Sequence, residues 1–312
     1  MKKLMLMLLL AAVLVLALPG CAGGTVSTAA KGPVAVSSKA DTEGALLAQV
    51  IELMLKANGF RVVDKPAIAG TPLIRQALIS GDIDIYPEYT GNGAVFFPDV
   101  NPDTWKNAPL GFEQVKALDK ARNNIVWLQP APANNTWAIA IPKTLADKEG
   151  IVSLADFAAY VNKGGSVKLA GSEEFITSAV ALPAFEKAYG FTLSKNQLVA
   201  LAGGNTAQTE KAAAEGTDGV NAAMAYGTDG SLSALKLVVM TDPKGVQPVY
   251  EPAPIVRGAV YNKYPELSNI LDPVFLSLGL TTLQSLNGDI AINGRNPADV
   301  ARNYLVSRGF LK

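Results

Sequence analysis

The chain has 312 residues, 49% hydrophobic and 17% charged, with 27 Lys+Arg balanced by 27 Asp+Glu. That is enough for a large core or two lobes, and the neutral balance offers no basic field for nucleic acid. Histidine is absent and cysteine occurs once, which argues against a hydrolase or zinc enzyme and forbids an intramolecular disulfide.

In chain order, Met1-Lys2-Lys3 forms a basic start and Leu4 to Leu18 an apolar run too short to span a bilayer comfortably. Leu18-Pro19-Gly20-Cys21 then reads as a bacterial lipobox, with Cys21 as the lipidated residue and mature N-terminus. Pro19 is unusual there, so cleavage by an ordinary signal peptidase nearby is the alternative. Residues 1–21 are thus expected to be a lipoprotein signal peptide, and the small, polar stretch 22–31 a tether. Losing residues 1–21 removes Lys2 and Lys3 and no acid, leaving 25 basic against 27 acidic side chains.

Val34 to Ser37 reads as a strand. Thr42 to Asn58 places Leu46, Leu47, Val50, Ile51, Met54 and Leu55 at helical spacing and stops at Gly59. Arg61 to Val63 is the next strand. Thr71-Pro72 opens a helix to Ser80, with Thr71 expected as its cap. The alternation in Gly81-Asp82-Ile83-Asp84-Ile85 predicts a strand at Ile83 to Ile85, ending where Tyr86, Glu88 and Tyr89 are presented beside a Thr-Gly turn. A strand end of that kind suits a small ligand. Further on, Trp137 to Ile141 and Val167 to Leu169 read as strands, and Ser172 to Tyr189 as a helix with a possible kink at Pro183. Leu198 to Leu201 is a strand, Thr206 to Glu215 a helix and Ala222 to Tyr226 a strand. Leu235 to Met240 and Ile255 to Val260 are strand-like, and Asn296-Pro297 caps a final helix through Val306. Such alternation implies an α/β fold with a mainly parallel sheet covered by helices.

Several of these segments form a pattern. Val36-Ser37-Ser38-Lys39 with Thr42-Glu43, Gly70-Thr71-Pro72, GDIDIYPEYTGN (Gly81 to Asn92) and Asn134-Asn135-Thr136-Trp137 resemble, in order and spacing, the substrate-binding proteins of ABC transporters for glycine betaine, choline and related quaternary amines. Ala225-Tyr226-Gly227-Thr228-Asp229-Gly230, KGVQPVYEPAPIVR (Lys244 to Arg257), NKYPEL (Asn262 to Leu267) and NPADVARNYL (Asn296 to Leu305) continue the resemblance over nearly all of the chain after the leader. It implies a two-lobed periplasmic-binding-protein fold of type II, with the ligand cleft between lobes joined by two crossovers. Lobe 1 would combine residues 32–134 and 228–312; lobe 2 would be 135–227. It also implies a monomeric extracytoplasmic receptor serving a permease and an ATPase subunit. That receptor would be lipid-anchored at the membrane, or periplasmic if the lipobox is not used. No cofactor and no metal are expected.

A quaternary ammonium has no N–H to donate, so its effective partner is a box of aromatic faces. By the resemblance, the cage positions fall on Tyr89, Trp137, Tyr226 and Tyr250, all aromatic here; Trp137 stands where Tyr is common. A betaine also has a carboxylate. Lys39 matches a family position that can bind it, aided by the following helix N-terminus, although a solvated loop lysine is an equal reading. Asn92 stands where relatives often carry Thr and could donate instead, and Asn135 lies beside Trp137 and could orient a polar end. Gly44 replaces a common Gln. No arginine matches the one some relatives use, Glu173 and Glu174 occupying that region. The weaker carboxylate capture that these departures imply would reduce affinity for glycine betaine or tilt preference toward choline.

Three other readings stay open: the same fold binding another methylated or cationic amine, a sensor input domain, and a glycosidase using Asp82, Asp84 or Glu88 as an acid/base pair. The last lacks any nucleophile motif.

Overall fold

The computed structural model describes residues 31–201 and 206–312. The expected leader, Cys21 and the tether up to residue 30 lie outside the described residues, and Lys31 already begins a strand. The described chain is built on two five-stranded sheets. The first holds β1 (Lys31–Val36), β2 (Phe60–Asp64), β3 (Ile85–Tyr89), β4 (Ile125–Trp127) and, much later in the chain, β10 (Pro252–Arg257). The second holds β5 (Trp137–Pro142), β6 (Leu169–Ser172), β7 (Leu198–Leu201), β8 (Ala222–Tyr226) and β9 (Leu237–Val239). Their orders are β2-β1-β3-β10-β4 and β7-β6-β8-β5-β9. Each sheet has its own apolar core, one around Val34, Ile51 and Phe275, another around Ile139, Phe157 and Phe185.

Both sheets are mixed rather than mainly parallel. β10 runs antiparallel to β3 and β4, and β5 runs antiparallel to β8 and β9. Only a strand–helix–strand return forces parallel pairing; β5 and β10 arrive from the other sheet, so nothing imposes that direction. β9 pairs with β5, so the second sheet draws on residues beyond position 227, where the sequence boundary had closed lobe 2.

Several elements form as their chemistry dictates. Asp41 caps the Thr42–Ala57 helix by accepting the Gly44 N–H at 2.6 Å, and the predicted apolar stripe is buried. Asn296 caps the last helix, Pro297–Ser307, through the Ala298 N–H. The Thr71–Ser80 helix has the predicted bounds, but its cap is Gly70, because the Thr71 hydroxyl accepts from Lys39 instead.

Two elements differ more. Gly81, at φ +88°, closes the Thr71–Ser80 helix, and Asp82 and Ile83 still donate to Ala77 O, so the strand starts only at Ile85. The tyrosines are therefore inside a strand buried over its whole length, not beyond its end. The predicted 172–189 helix is two, Glu173–Thr177 and Leu182–Tyr189. Pro183 lacks an N–H and sits in the first turn of the second, where none is needed. Likewise β10 ends at Arg257 and a helix, Gly258–Lys263, follows where strand was expected.

The two connections between the sheets run side by side. Asn135 N–H donates to Tyr250 O at 2.9 Å, Tyr250 N–H to Asn134 Oδ1 at 2.8 Å, and Thr136 Oγ1 to Pro248 O at 2.9 Å. The motif residues around positions 134–137 and 226–230 meet here.

Candidate ligand-binding site

Strand register explains the aromatic constellation. Trp137 and Tyr226 are direct partners in the antiparallel β5–β8 pair, so their side chains share one face. Trp137 Nε1 donates to the Tyr226 hydroxyl at 2.9 Å. Tyr89, at the end of β3, donates its hydroxyl to Glu43 Oε1 at 2.8 Å. The Tyr250 ring, on the second connection, lies against Gly91: a Cβ there would fall 2.7 Å from ring carbon Cδ1. Burial raises the pKa of Tyr89, Tyr226 and Tyr250, so all three remain neutral phenols.

These rings border two cavities. Tyr89 and Tyr226 line one of about 570 Å³, together with Asp41, Glu43, Asn135 and Asp229. Trp137 and Tyr250 line another of about 750 Å³, with Trp105 and Val180 and the lysines Lys106, Lys187 and Lys244. The Trp137–Tyr226 hydrogen bond joins the two sets.

Glu43 organises the first cavity. It lies in the first turn of the Thr42–Ala57 helix and is buried. Its Oε1 accepts from Tyr89 and, at 3.2 Å, from Asn135 Nδ2; Oε2 accepts from Asn287 Nδ2 at 2.7 Å. The Asn287 amide also donates to Thr228 O at 3.0 Å. One carboxyl thus ties together β3, the first connection between the sheets and the Leu280–Ala291 helix. Burial pushes it up to about 7; hydrogen bonds from Thr228, Asn287 and Tyr89 act the other way, and nearby Asp41 adds to the rise.

A carboxyl raised by folding keeps its proton in the native state after the unfolded chain has lost it. Stability from this group is therefore full at acid pH and declines as pH rises from about 4.5 to about 7. Glu43→Gln should flatten the stability profile in that window, measured by urea unfolding between pH 4 and 8. An unchanged slope would mean that Glu43 is ionised throughout.

Lys39 and Asn92 are both engaged by one buried glutamate, Glu88. Lys39 Nζ lies 2.7 Å from Glu88 Oε1, donates to Thr71 Oγ1 at 2.8 Å, and is 5.2 Å from the Tyr89 ring centroid. Asn92 Nδ2 donates to the same Glu88 oxygen at 2.7 Å. Glu88 is 0% exposed and also accepts from Tyr86 OH and the Tyr89 N–H. Both side chains therefore meet β3 through Glu88. Asp84 is likewise engaged, accepting from Ala35 N–H and from Arg257, and Asp82 accepts from Ser80 Oγ. Of the carboxylates that a glycosidase reading would use, Asp84 and Glu88 are taken up by long-range contacts within the fold, and Asp82 by an exposed local one.

A second acidic group was not singled out from sequence. Asp229 lines the first cavity and accepts the Tyr226 N–H at 2.6 Å. Behind it, Glu210 accepts from Ser231 Oγ and is hydrogen-bonded to Asp229. Two carboxyls can hydrogen-bond only by sharing a proton. Burial and the charge of Asp229 push Glu210 up to about 9, so the proton resides on Glu210. Burial raises Asp229 as well, while hydrogen bonds from Glu210, the Tyr226 N–H and Thr206 act the other way. Glu43 and Asp229 both belong to the motif segments, yet an acid in a first helical turn reads as ordinary capping. Asn287 had no signal at all.

Known proteins share this architecture. A family model described as "Substrate binding domain of ABC-type glycine betaine transport system" matches residues 32–307. The chain is 55% identical over 283 residues to the glycine betaine-binding protein YehZ of Escherichia coli, covering 91% of this chain and 93% of that protein. It is 30% identical over 276 residues to a glycine-betaine-binding protein of Pseudomonas aeruginosa, with 86% of each covered. The solved structure of apo YehZ from E. coli superposes with a TM-score of 0.82 at 54% identity, covering 90% of this chain and all of that one. With a family match across nearly its whole described length and a fold to suit, this chain belongs to the substrate-binding domains of ABC-type glycine betaine transport systems.

Proposed function

We propose that the chain is the extracytoplasmic receptor of an ABC importer that captures a quaternary ammonium solute of the glycine betaine or choline class. The observation that carries this reading is the placement of Tyr89 and Tyr226 on a cavity walled by Asp41, Glu43 and Asp229 and of Trp137 and Tyr250 on a second one, the two pairs of rings joined by the Trp137–Tyr226 hydrogen bond. Ring faces meet the diffuse cation and its methyl groups, each contributing about 0.5–1 kcal/mol when exposed and about 2 kcal/mol when desolvated. Four rings support micromolar binding, about −8 kcal/mol, after association costs.

In this mechanism the open receptor holds the cation on one lobe, and closure about the paired connections brings the remaining rings onto it. Asn135, which reaches Glu43 from the first connection, orients the polar end. Lys39 and Asn92 act through Glu88, keeping β3 and its following turn in place. The closed form then docks on the permease. A lipid on Cys21 would hold the receptor close to it.

Calorimetry of the chain freed of residues 1–21 tests this, with glycine betaine, choline, carnitine and proline betaine as ligands and arginine and putrescine as controls. Binding confined to the methylated cations is expected. A response only to the controls would overturn the ligand class.

A further inference from the structure

We propose that the 750 Å³ cavity is a second binding site, built for an aromatic monocarboxylate. Its ligand is opposite in charge to the captured solute and occupies a separate cavity, so the site goes beyond the importer reading.

The cavity is fixed from both sides. Val95 and the buried Trp105 come from the segment between β3 and β4, and the Trp105 carbonyl accepts the Val249 N–H at 2.8 Å. Val180 comes from the link between the Glu173–Thr177 and Leu182–Tyr189 helices, and its carbonyl accepts from Gln247 Nε2 at 2.7 Å. Gln247 is only 5% exposed. Val249 and Gln247 both belong to the second connection, so one segment holds the two walls. Trp137 and Tyr250 complete an aromatic interior. A cavity of this size and character suits one organic molecule with a planar apolar body. Val95 and Val180 each remain 64% exposed, apolar surface that such a body would bury.

Charge sets the class of ligand. Lys106, Lys187 and Lys244 line this cavity, and no Asp or Glu does so among the described residues. The 570 Å³ cavity is the reverse, with Asp41, Glu43 and Asp229 and no Lys or Arg among the described residues. Lys106 is paired with Asp103 at 3.0 Å. Lys187 has no hydrogen-bond or ion-pair partner among the described residues, and Lys244 Nζ donates to a neutral acceptor, Ala188 O. Two ammonium groups without a counter-ion, beside an apolar interior, repel a methylated ammonium and attract a carboxylate.

The test is calorimetry at low salt with naphthoate as the probe and no methylated ammonium present, so that nothing else competes for Trp137 and Tyr250. Trp105 and Trp137 are two of the three tryptophans in the chain, so quenching of intrinsic fluorescence should follow the same isotherm. Saturable binding is expected, at least fivefold tighter than that of the neutral isostere naphthamide, with acetate silent. The double variant Lys187→Gln/Lys244→Gln should weaken naphthoate about fivefold and leave naphthamide within about twofold. Val180→Asp, a change at an exposed position, should weaken naphthoate about tenfold by setting a like charge on the wall. No saturable binding of naphthoate, or equal affinity for the amide, overturns the proposal. So does a lysine double variant, or a Val180→Asp variant, that binds naphthoate as the unaltered chain does. None of these outcomes bears on cation capture, which its own titration decides.

Discussion

Trp137→Ala should weaken binding of a methylated ammonium at least tenfold, a loss of about 1.4 kcal/mol, measured by calorimetry. The ring does three things at once. It offers the strongest quadrupole of any side chain to the cation, its Nε1 holds the Tyr226 hydroxyl at 2.9 Å, and it packs edge-on against Phe175 with centroids 6.2 Å apart. Truncation removes the first and frees Tyr226 to rotate, so two of the four rings lose their placement. Trp137 is only partly buried, so the fold should tolerate the change with a small shift in Tm. Trp137→Phe separates the effects: it keeps a ring but loses the indole N–H, and should fall between wild type and Ala. Unchanged affinity in Trp137→Ala would remove the β5–β8 pair from the site.

How much of this was legible in sequence depends on the range of the interaction. Local chemistry was readable. The 42–57 stripe, the Asn296 cap and the strands at 198–201 and 222–226 all follow from periodicity and capping within one element. Errors arose where a distant partner decided the outcome. Thr71 caps nothing because its hydroxyl serves Lys39, 32 positions away. The alternation at 81–85 belongs to a helix exit whose Asp84 is held by Arg257, 173 positions away.

The site shows the same division. Tyr89, Trp137, Tyr226 and Tyr250 were named because aromatic type and motif spacing are visible in one dimension. Glu43 acquires its meaning only from Asn287, 244 positions on. The Glu210–Asp229 pair needs two elements packed together before its shared proton exists. Lys39 is the instructive case. A lysine before a helix reads as an anion receptor, but a fully buried glutamate on β3 claims it first.

Arg75→Met should be the most destabilising single change away from the cleft, by about 3–5 kcal/mol. Arg75 projects from the Thr71–Ser80 helix, and its guanidinium donates twice to Asp119. Asp119, on the Ala108–Asn123 helix, is 0% exposed and also accepts from Trp127 Nε1 at 2.7 Å and Asn123 Nδ2 at 2.8 Å. The guanidinium carbon lies 3.6 Å from the Phe96 ring centroid, so the same group supports the segment that follows Tyr89. Methionine can fill the volume but strands a buried carboxylate with neutral donors only, and the penalty is that of an uncompensated charge rather than of a lost contact. Urea unfolding should show a lower midpoint at unchanged slope. The double variant Arg75→Met/Asp119→Asn should recover at least half of the loss, because an amide in place of the carboxylate carries no charge to strand and its oxygen can still accept from Trp127. A loss below about 1 kcal/mol in the single variant would mean that Trp127 and Asn123 suffice for Asp119. Failure of the double variant to recover would assign the loss to packing against Phe96 instead. The two outcomes separate charge from shape in the lobe that carries Tyr89.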